Sequence, residues 1–353
     1  MRAPLVVAPA LALFAATALL APPVEAAAEP LPGIPGSLPA QVSGSADGMA
    51  RNAGAGSTGD GDGPAVYAGP EGHPAGPARY VALGDSFAAV GRIAPGAWLA
   101  GPSACVRTAD AYPALVARAT GAGTFVNASC GGAVLDDLLG PSELGLPPQL
   151  DALDTGTDLV SVTIGGNDVG FAAVIDACAI RPNAERAGAL PLVEPLGRLI
   201  AEDFDTRTGC ADVIDRQASA ALDALGPRLD ALYAEIARRS PAARVVTVGY
   251  LSALPDEATL LASPDCAPLT VVSAAERDRV RRFQEAINRV VAAAGERHGA
   301  TVVIPDEPGY SMCAPADVRW VDLTGIQTGA VPVHPTSAGH AHVAARVVGA
   351  LGA

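Results

Sequence analysis

Lysine is absent: all 23 basic residues of the 353-residue chain are arginine. A phosphate-binding loop of the Gly-x-x-x-x-Gly-Lys type is therefore excluded. Aromatics are sparse at 4%, with two tryptophans, and no basic stretch is interleaved with them. With a formal net charge of -14, this makes nucleic acid a poor partner and disfavours simple electrostatic recruitment to anionic membranes. There is no His-Glu-x-x-His, no CxxC pair and no CxxxH cluster; even the nearest cysteines, Cys105 and Cys130, lie far apart. A zinc site is thereby disfavoured, and no cofactor is implied. The elbow Gly-x-Ser-x-Gly is missing as well, because Ser86 has Gly84 before it but Ala88 after it. That argues against the α/β-hydrolase fold.

What remains is half hydrophobic and long enough for one large domain with a full core. Met1 to about Ala26 combines Arg2, an apolar run through Leu5, Leu11, Phe14 and Leu20, and the small-residue stretch Val24-Glu25-Ala26-Ala27. Pro4, Pro9, Pro22 and Pro23 interrupt and end the run, so a secretory signal cut after Ala26 is expected rather than a membrane anchor. Residues 27–77 are rich in Gly, Pro, Ala and Ser and are expected to form a disordered leader, because they offer too little apolar surface to offset ordering entropy. The catalytic domain is expected over 78–353. Six cysteines in an exported chain point to disulfides, although composition alone does not choose among the connectivities.

Five β-branched apolar runs read as strands: 80–83, 124–126, 159–164, 245–248 and 301–304. Helical periodicity occupies 112–119, 213–239, 274–297 and 340–351. Strands alternating with helices predict an α/β fold whose mainly parallel sheet is covered on both faces. Ligands bind such sheets outside the carboxyl ends of the strands. Four short motifs gather there. Gly84-Asp85-Ser86-Phe87 follows the first strand, Cys130-Gly131-Gly132-Ala133 the second and Gly165-Gly166-Asn167-Asp168 the third, while His334-Pro335 precedes the last helix.

Each motif has a chemical use. A serine hydroxyl is a weak nucleophile until a base removes its proton, and of the five histidines only His334 sits in a loop stiffened by proline just before a helix. The N–H groups of Ser86 and Gly132, with the Asn167 carboxamide, supply three donors for an oxyanion. Asp85 and Asp168 read as groups that shape their turns. A carboxylate is missing three residues before His334, where Val331 stands. Either a main-chain carbonyl, that of Val331, orients the imidazole, or Asp317 or Asp322 folds in; the carbonyl is preferred, giving a Ser-His dyad. The expected chemistry is ester hydrolysis through an acyl-enzyme on Ser86 with His334 as base.

At these residues the chain resembles the SGNH, or GDSL, hydrolase superfamily, with Ser86, Gly132, Asn167 and His334 in the four lettered positions. Ser-Cys-Gly-Gly-Ala and Val-His-Pro-Thr-Ser-Ala-Gly-His, together with six cysteines, resemble its secreted actinobacterial lipases and esterases. The resemblance implies a three-layer α/β/α flavodoxin-like fold with a five-stranded parallel sheet. It also implies disulfides Cys105–Cys130, Cys178–Cys210 and Cys266–Cys313, and chemistry without a metal. A monomer acting on acyl esters of lipids, in transient contact with lipid aggregates, is expected. Phospholipase A, a carbohydrate acetyl esterase (with Trp98 as a sugar-stacking aromatic) and an inactive binding protein are the alternatives. Between Cys178 and Cys210, the apolar residues Leu190, Leu192, Val193 and Leu196 are expected to form a loop over the cleft that sets acyl-chain selectivity.

Overall fold

The strands form because their residues are apolar along both faces, so each can be buried only inside a covered sheet. In the computed structural model, which describes residues 65–68, 76–93, 105–142, 145–186, 188 and, with short gaps within 256–271 and at 308–309, residues 203–352, these runs lie side by side. They are β2 (Arg79–Gly84), β3 (Thr124–Asn127), β4 (Leu159–Thr163), β5 (Arg244–Val248) and β6 (Thr301–Val303). Every residue of β4 is buried, as is every residue of β2 after Arg79.

The five strands are parallel in the order β3-β2-β4-β5-β6. This is the flavodoxin-like arrangement, in which the chain first steps one way from β2 to β3 and then the other way from β4 onward. Because parallel crossovers are right-handed, that reversal puts successive helices on opposite faces. Helices Tyr112–Thr120 and Ser337–Leu351 pack together as one layer, and Ser219–Arg239 packs with Ala274–Arg297 as the other. The reversal opens a crevice at the carboxyl ends of β2 and β4, where Ser86 and Asn167 emerge.

Two features depart from expectation. A sixth strand, β1 (Ala65–Ala68), pairs antiparallel with β3 at the sheet edge, so the leader expected to be disordered over 27–77 contains an ordered strand. The edge of β3 offers unpaired backbone groups, and a four-residue strand satisfies them despite its Gly/Pro-rich surroundings. The helix expected from Val213 begins with a π-helical stretch, Val213–Ala218, before the regular Ser219–Arg239. The expected signal segment, most of the leader, Trp98, Leu190, Leu192, Val193 and Leu196 lie outside the described residues. The three disulfides pair as the resemblance implies: Cys105–Cys130, Cys178–Cys210 and Cys266–Cys313.

Candidate active site

Strand β2 ends at Gly84, where the backbone has φ +142° and a Cβ would lie 2.2 Å from the Thr163 carbonyl oxygen of β4. Only glycine permits this approach between the two strands. The next residue, Asp85, caps the short helix Ser86–Ala89, its carboxylate accepting the Phe87 N–H at 2.9 Å. A β-strand passing directly into a capped helical turn holds the Ser86 side chain at the sheet edge.

His334 reaches it from the other end of the chain. Its Nε2 lies 2.7 Å from Ser86 Oγ, and its Nδ1 lies 2.8 Å from the Pro332 carbonyl oxygen. A carbonyl can only accept, so Nδ1 carries the proton and Nε2 is left to accept the serine hydroxyl hydrogen. Burial holds the imidazole pKa below its ordinary value, against the opposing effect of the Pro332 bond. The ring is therefore neutral at neutral pH, the form a general base requires.

The orienting carbonyl is thus that of Pro332, which corrects the expectation of Val331. The Val331 carbonyl is already taken by the His334 N–H at 3.1 Å, closing a tight turn. Within that turn Val333 has φ +60°, and it is the one non-glycine residue with positive φ among the described residues. A β-branched residue in that region is strained, and the strain is held by the bond from its N–H to the Asp322 carbonyl at 2.6 Å. The Asp322 carboxylate does not reach the imidazole: it accepts the N–H groups of Thr324 and Gly325 and the Thr328 hydroxyl, which shapes the loop leading to His334. Asp317 is exposed.

Asn167 lies on the cleft wall, and its Nδ2 donates to the Ala133 carbonyl at 2.9 Å. One amide hydrogen thus ties the turn containing Gly132 to the loop after β4, and the carboxamide carries a second. Gly132 itself has φ +77°, with open space where a Cβ would stand. Its turn is fixed by the Cys105–Cys130 disulfide and by the Cys130 N–H bound to the Gly84 carbonyl at 3.0 Å. Asp168 accepts the Leu135 N–H and pairs with Arg228 at 2.8 Å, as a turn-shaping group should. Burial nonetheless raises its pKa.

Sequence reasoning missed Tyr250. It stands just past β5, its hydroxyl donating to Asp85 Oδ2 at 2.5 Å and accepting the Gly166 N–H at 2.7 Å. One phenol therefore joins the turn bearing Ser86 to the loop bearing Asn167. Burial raises the Asp85 pKa to about 7, while the Tyr250 and Phe87 hydrogen bonds pull against it. The available signal was positional: a polar aromatic immediately beyond a parallel strand falls on the edge where ligands bind. His340 is the opposite case, a histidine with a structural role. Fully buried, it accepts the Tyr112 N–H on Nδ1 and donates from Nε2 to the Val90 carbonyl.

Ser86 and His334 open onto a cleft of about 230 Å³ walled by Phe171, Ile175, Ile180, Ile287 and Val333. A sequence profile of the GDSL-like lipase/acylhydrolase family matches residues 82–342, which include all of these groups. The chain belongs to that family. This GDSL-family protein is 31% identical to Lipase 2 of Streptomyces coelicolor over 280 residues, covering 77% of this chain and 85% of the relative. Its fold is similar to that of the extracellular lipase of Streptomyces rimosus, with a TM-score of 0.55 and 28% identity over 78% of this chain and 98% of that one. Phospholipase A1 of Streptomyces albidoflavus is similar at TM-score 0.53 and 27% identity, again over 78% of this chain and 98% of the neighbour. The family protein is a carboxylic-ester hydrolase of the lipase/esterase type, and its substrate is an acyl ester.

Proposed function

We propose that the protein is a secreted lipase or esterase that cleaves acyl esters of lipids through an acyl-enzyme on Ser86. The observation that carries this reading is the Ser86–His334 pair at 2.7 Å, with the imidazole tautomer set by Pro332, on the wall of an apolar cleft. Nε2 takes the hydroxyl proton as Oγ attacks the ester carbonyl. The Ser86 and Gly132 N–H groups and Asn167 Nδ2 meet the resulting oxyanion. Protonated His334 then gives its proton to the leaving alcohol, and a water activated by the neutral imidazole releases the fatty acid. The Pro332 carbonyl replaces the acid of a triad, so the machinery is a dyad.

The apolar walls favour an aliphatic acyl group, and a phospholipid is a second substrate supported by the likeness to the Streptomyces albidoflavus phospholipase. Export, with the signal removed after Ala26, is supported by three disulfides and by the extracellular Streptomyces rimosus relative. Among the described residues no helix is long and apolar enough to cross a membrane. The mature enzyme works as a monomer that touches lipid aggregates transiently. The test is hydrolysis of p-nitrophenyl esters from acetate to palmitate by the wild type and by Ser86→Ala, with and without EDTA. Turnover of medium or long chains, abolished in the variant and indifferent to EDTA, is expected. Cleavage confined to acetate moves the assignment to a carbohydrate acetyl esterase, and cleavage of no ester leaves only a binding protein.

A further inference from the structure

Beside the cleft lies a second cavity of about 20 Å³, lined by Ile175, Ala179, Leu254, Val280, Met312 and Leu323. The two spaces share one wall. Ala253 faces the cleft and the adjacent Leu254 faces the cavity, and likewise Ile180 and Ala179. On helix Ala274–Arg297, Gln284 faces the cleft and Val280, one turn earlier, faces the cavity. Ile175 lines both, the only described residue that does. It is 8% exposed and ends the helix Phe171–Ile175, immediately before a π-helical turn, Asp176–Ile180, pinned by Cys178–Cys210.

We propose that Ile175 sets the acyl-chain length, as the wall at which a medium-length chain ends, and that cutting this wall back gives a longer chain the volume of the lost side chain joined to the small cavity beside it. The inference rests on the ester-hydrolase reading above and names the substrate class within it. A β-branched side chain in a helix is stiff at χ1, so Ile175 is a fixed partition. A cavity of about 150 Å³ holds the six carbons of benzene, so the cleft's 230 Å³ holds about nine and the second cavity's 20 Å³ about one. Arg277 gives the second cavity only its aliphatic stem, since its guanidinium is held by Glu257 at 2.7 Å, so the lining of that cavity is apolar throughout.

The test compares kcat/KM for p-nitrophenyl butyrate, octanoate, palmitate and the lengths between, in the wild type, Ile175→Ala and Ile175→Val. The wild type is expected to peak near octanoate to decanoate. Ile175→Ala is expected to move the peak to longer chains, raising the palmitate-to-octanoate ratio by about fourfold for each further methylene seated. Ile175→Val, which removes one methyl and is the milder change to the core, is expected to shift it less in the same direction. A crystal structure of the wild type inactivated by an octylphosphonate is expected to show the terminal carbons against Ile175. A peak that stays in place in both variants, or an alkyl chain that leaves Ser86 away from Ile175, overturns the inference while the hydrolase reading stands. A wild type that cleaves no ester overturns both.

Discussion

At the scale of single residues, the site depends on groups that hold others in place. Tyr250 is the clearest: its hydroxyl bridges Asp85 and Gly166 from a buried position. Tyr250→Phe removes both bonds and leaves the Gly166 N–H without its acceptor, a loss of about 1–3 kcal/mol. The expected result is a lower urea midpoint and, because the Ser86 turn and the Asn167 loop lose their common anchor, a kcat lower by about tenfold with little change in KM. Steady-state kinetics beside urea titration checks it; an unchanged kcat would confine Tyr250 to packing. His334 yields a pH prediction. Its folded pKa is held below 6.5, so the neutral base persists into mildly acidic solution. The acid limb of kcat/KM is expected to have its midpoint below pH 6.5, and a midpoint above it would contradict the burial argument.

Secondary-structure elements explain both what could be read in advance and what could not. The five parallel strands were legible because a strand buried on both faces must be apolar throughout. Helix Ala274–Arg297 was legible in full from its periodicity, and the structure adds a Ser273/Glu276 capping box at its start. Strand β1 was not, because four residues among Gly and Pro carry no pattern and are ordered only by pairing with β3. The π-helical start at Val213 keeps helical periodicity and so reads as ordinary helix. In the site, Ser86, Gly132, Asn167 and His334 were visible as motifs. Pro332 was displaced from expectation by one residue, since only the three-dimensional turn shows that the Val331 carbonyl is already spent on the His334 backbone. Tyr250 meets Asp85 across the sheet, a contact that strand order creates and local sequence does not encode. At the junction of β2 and β4, Gly84→Ala places a methyl against the Thr163 carbonyl in a backbone region unsuited to a side chain. It is expected to destabilise the fold by about 2 kcal/mol or more, read as a fall in urea midpoint.

For the whole molecule, stability is tied to pH through His340, which joins the helices Tyr112–Thr120 and Ser337–Leu351 to the end of the helix bearing Ser86. Burial lowers its pKa from 6.5 to about 4. The unfolded chain therefore binds a proton that the folded chain refuses, so the contribution is fully present above pH 6.5 and is lost as pH falls toward 4. Its size is about 3 kcal/mol. Asp85, with its pKa raised to about 7, acts in the opposite sense over much of the same range, so the comparison must be between variants. Relative to wild type, His340→Gln is expected to be less stable at pH 7 and to lose less stability between pH 6.5 and 4. Urea midpoints across that range check it, and parallel curves would contradict the assignment.

The central claim is that Ser86 becomes acylated with His334 as its base. The most direct measurement is acid-quenched mass spectrometry of the enzyme during the first turnover of p-nitrophenyl octanoate, followed by peptide mapping. The account predicts an octanoyl adduct on the peptide containing Ser86 in the wild type, absent in Ser86→Ala and strongly reduced in His334→Ala. Turnover with no adduct on that peptide, or an adduct that persists in Ser86→Ala, would contradict it.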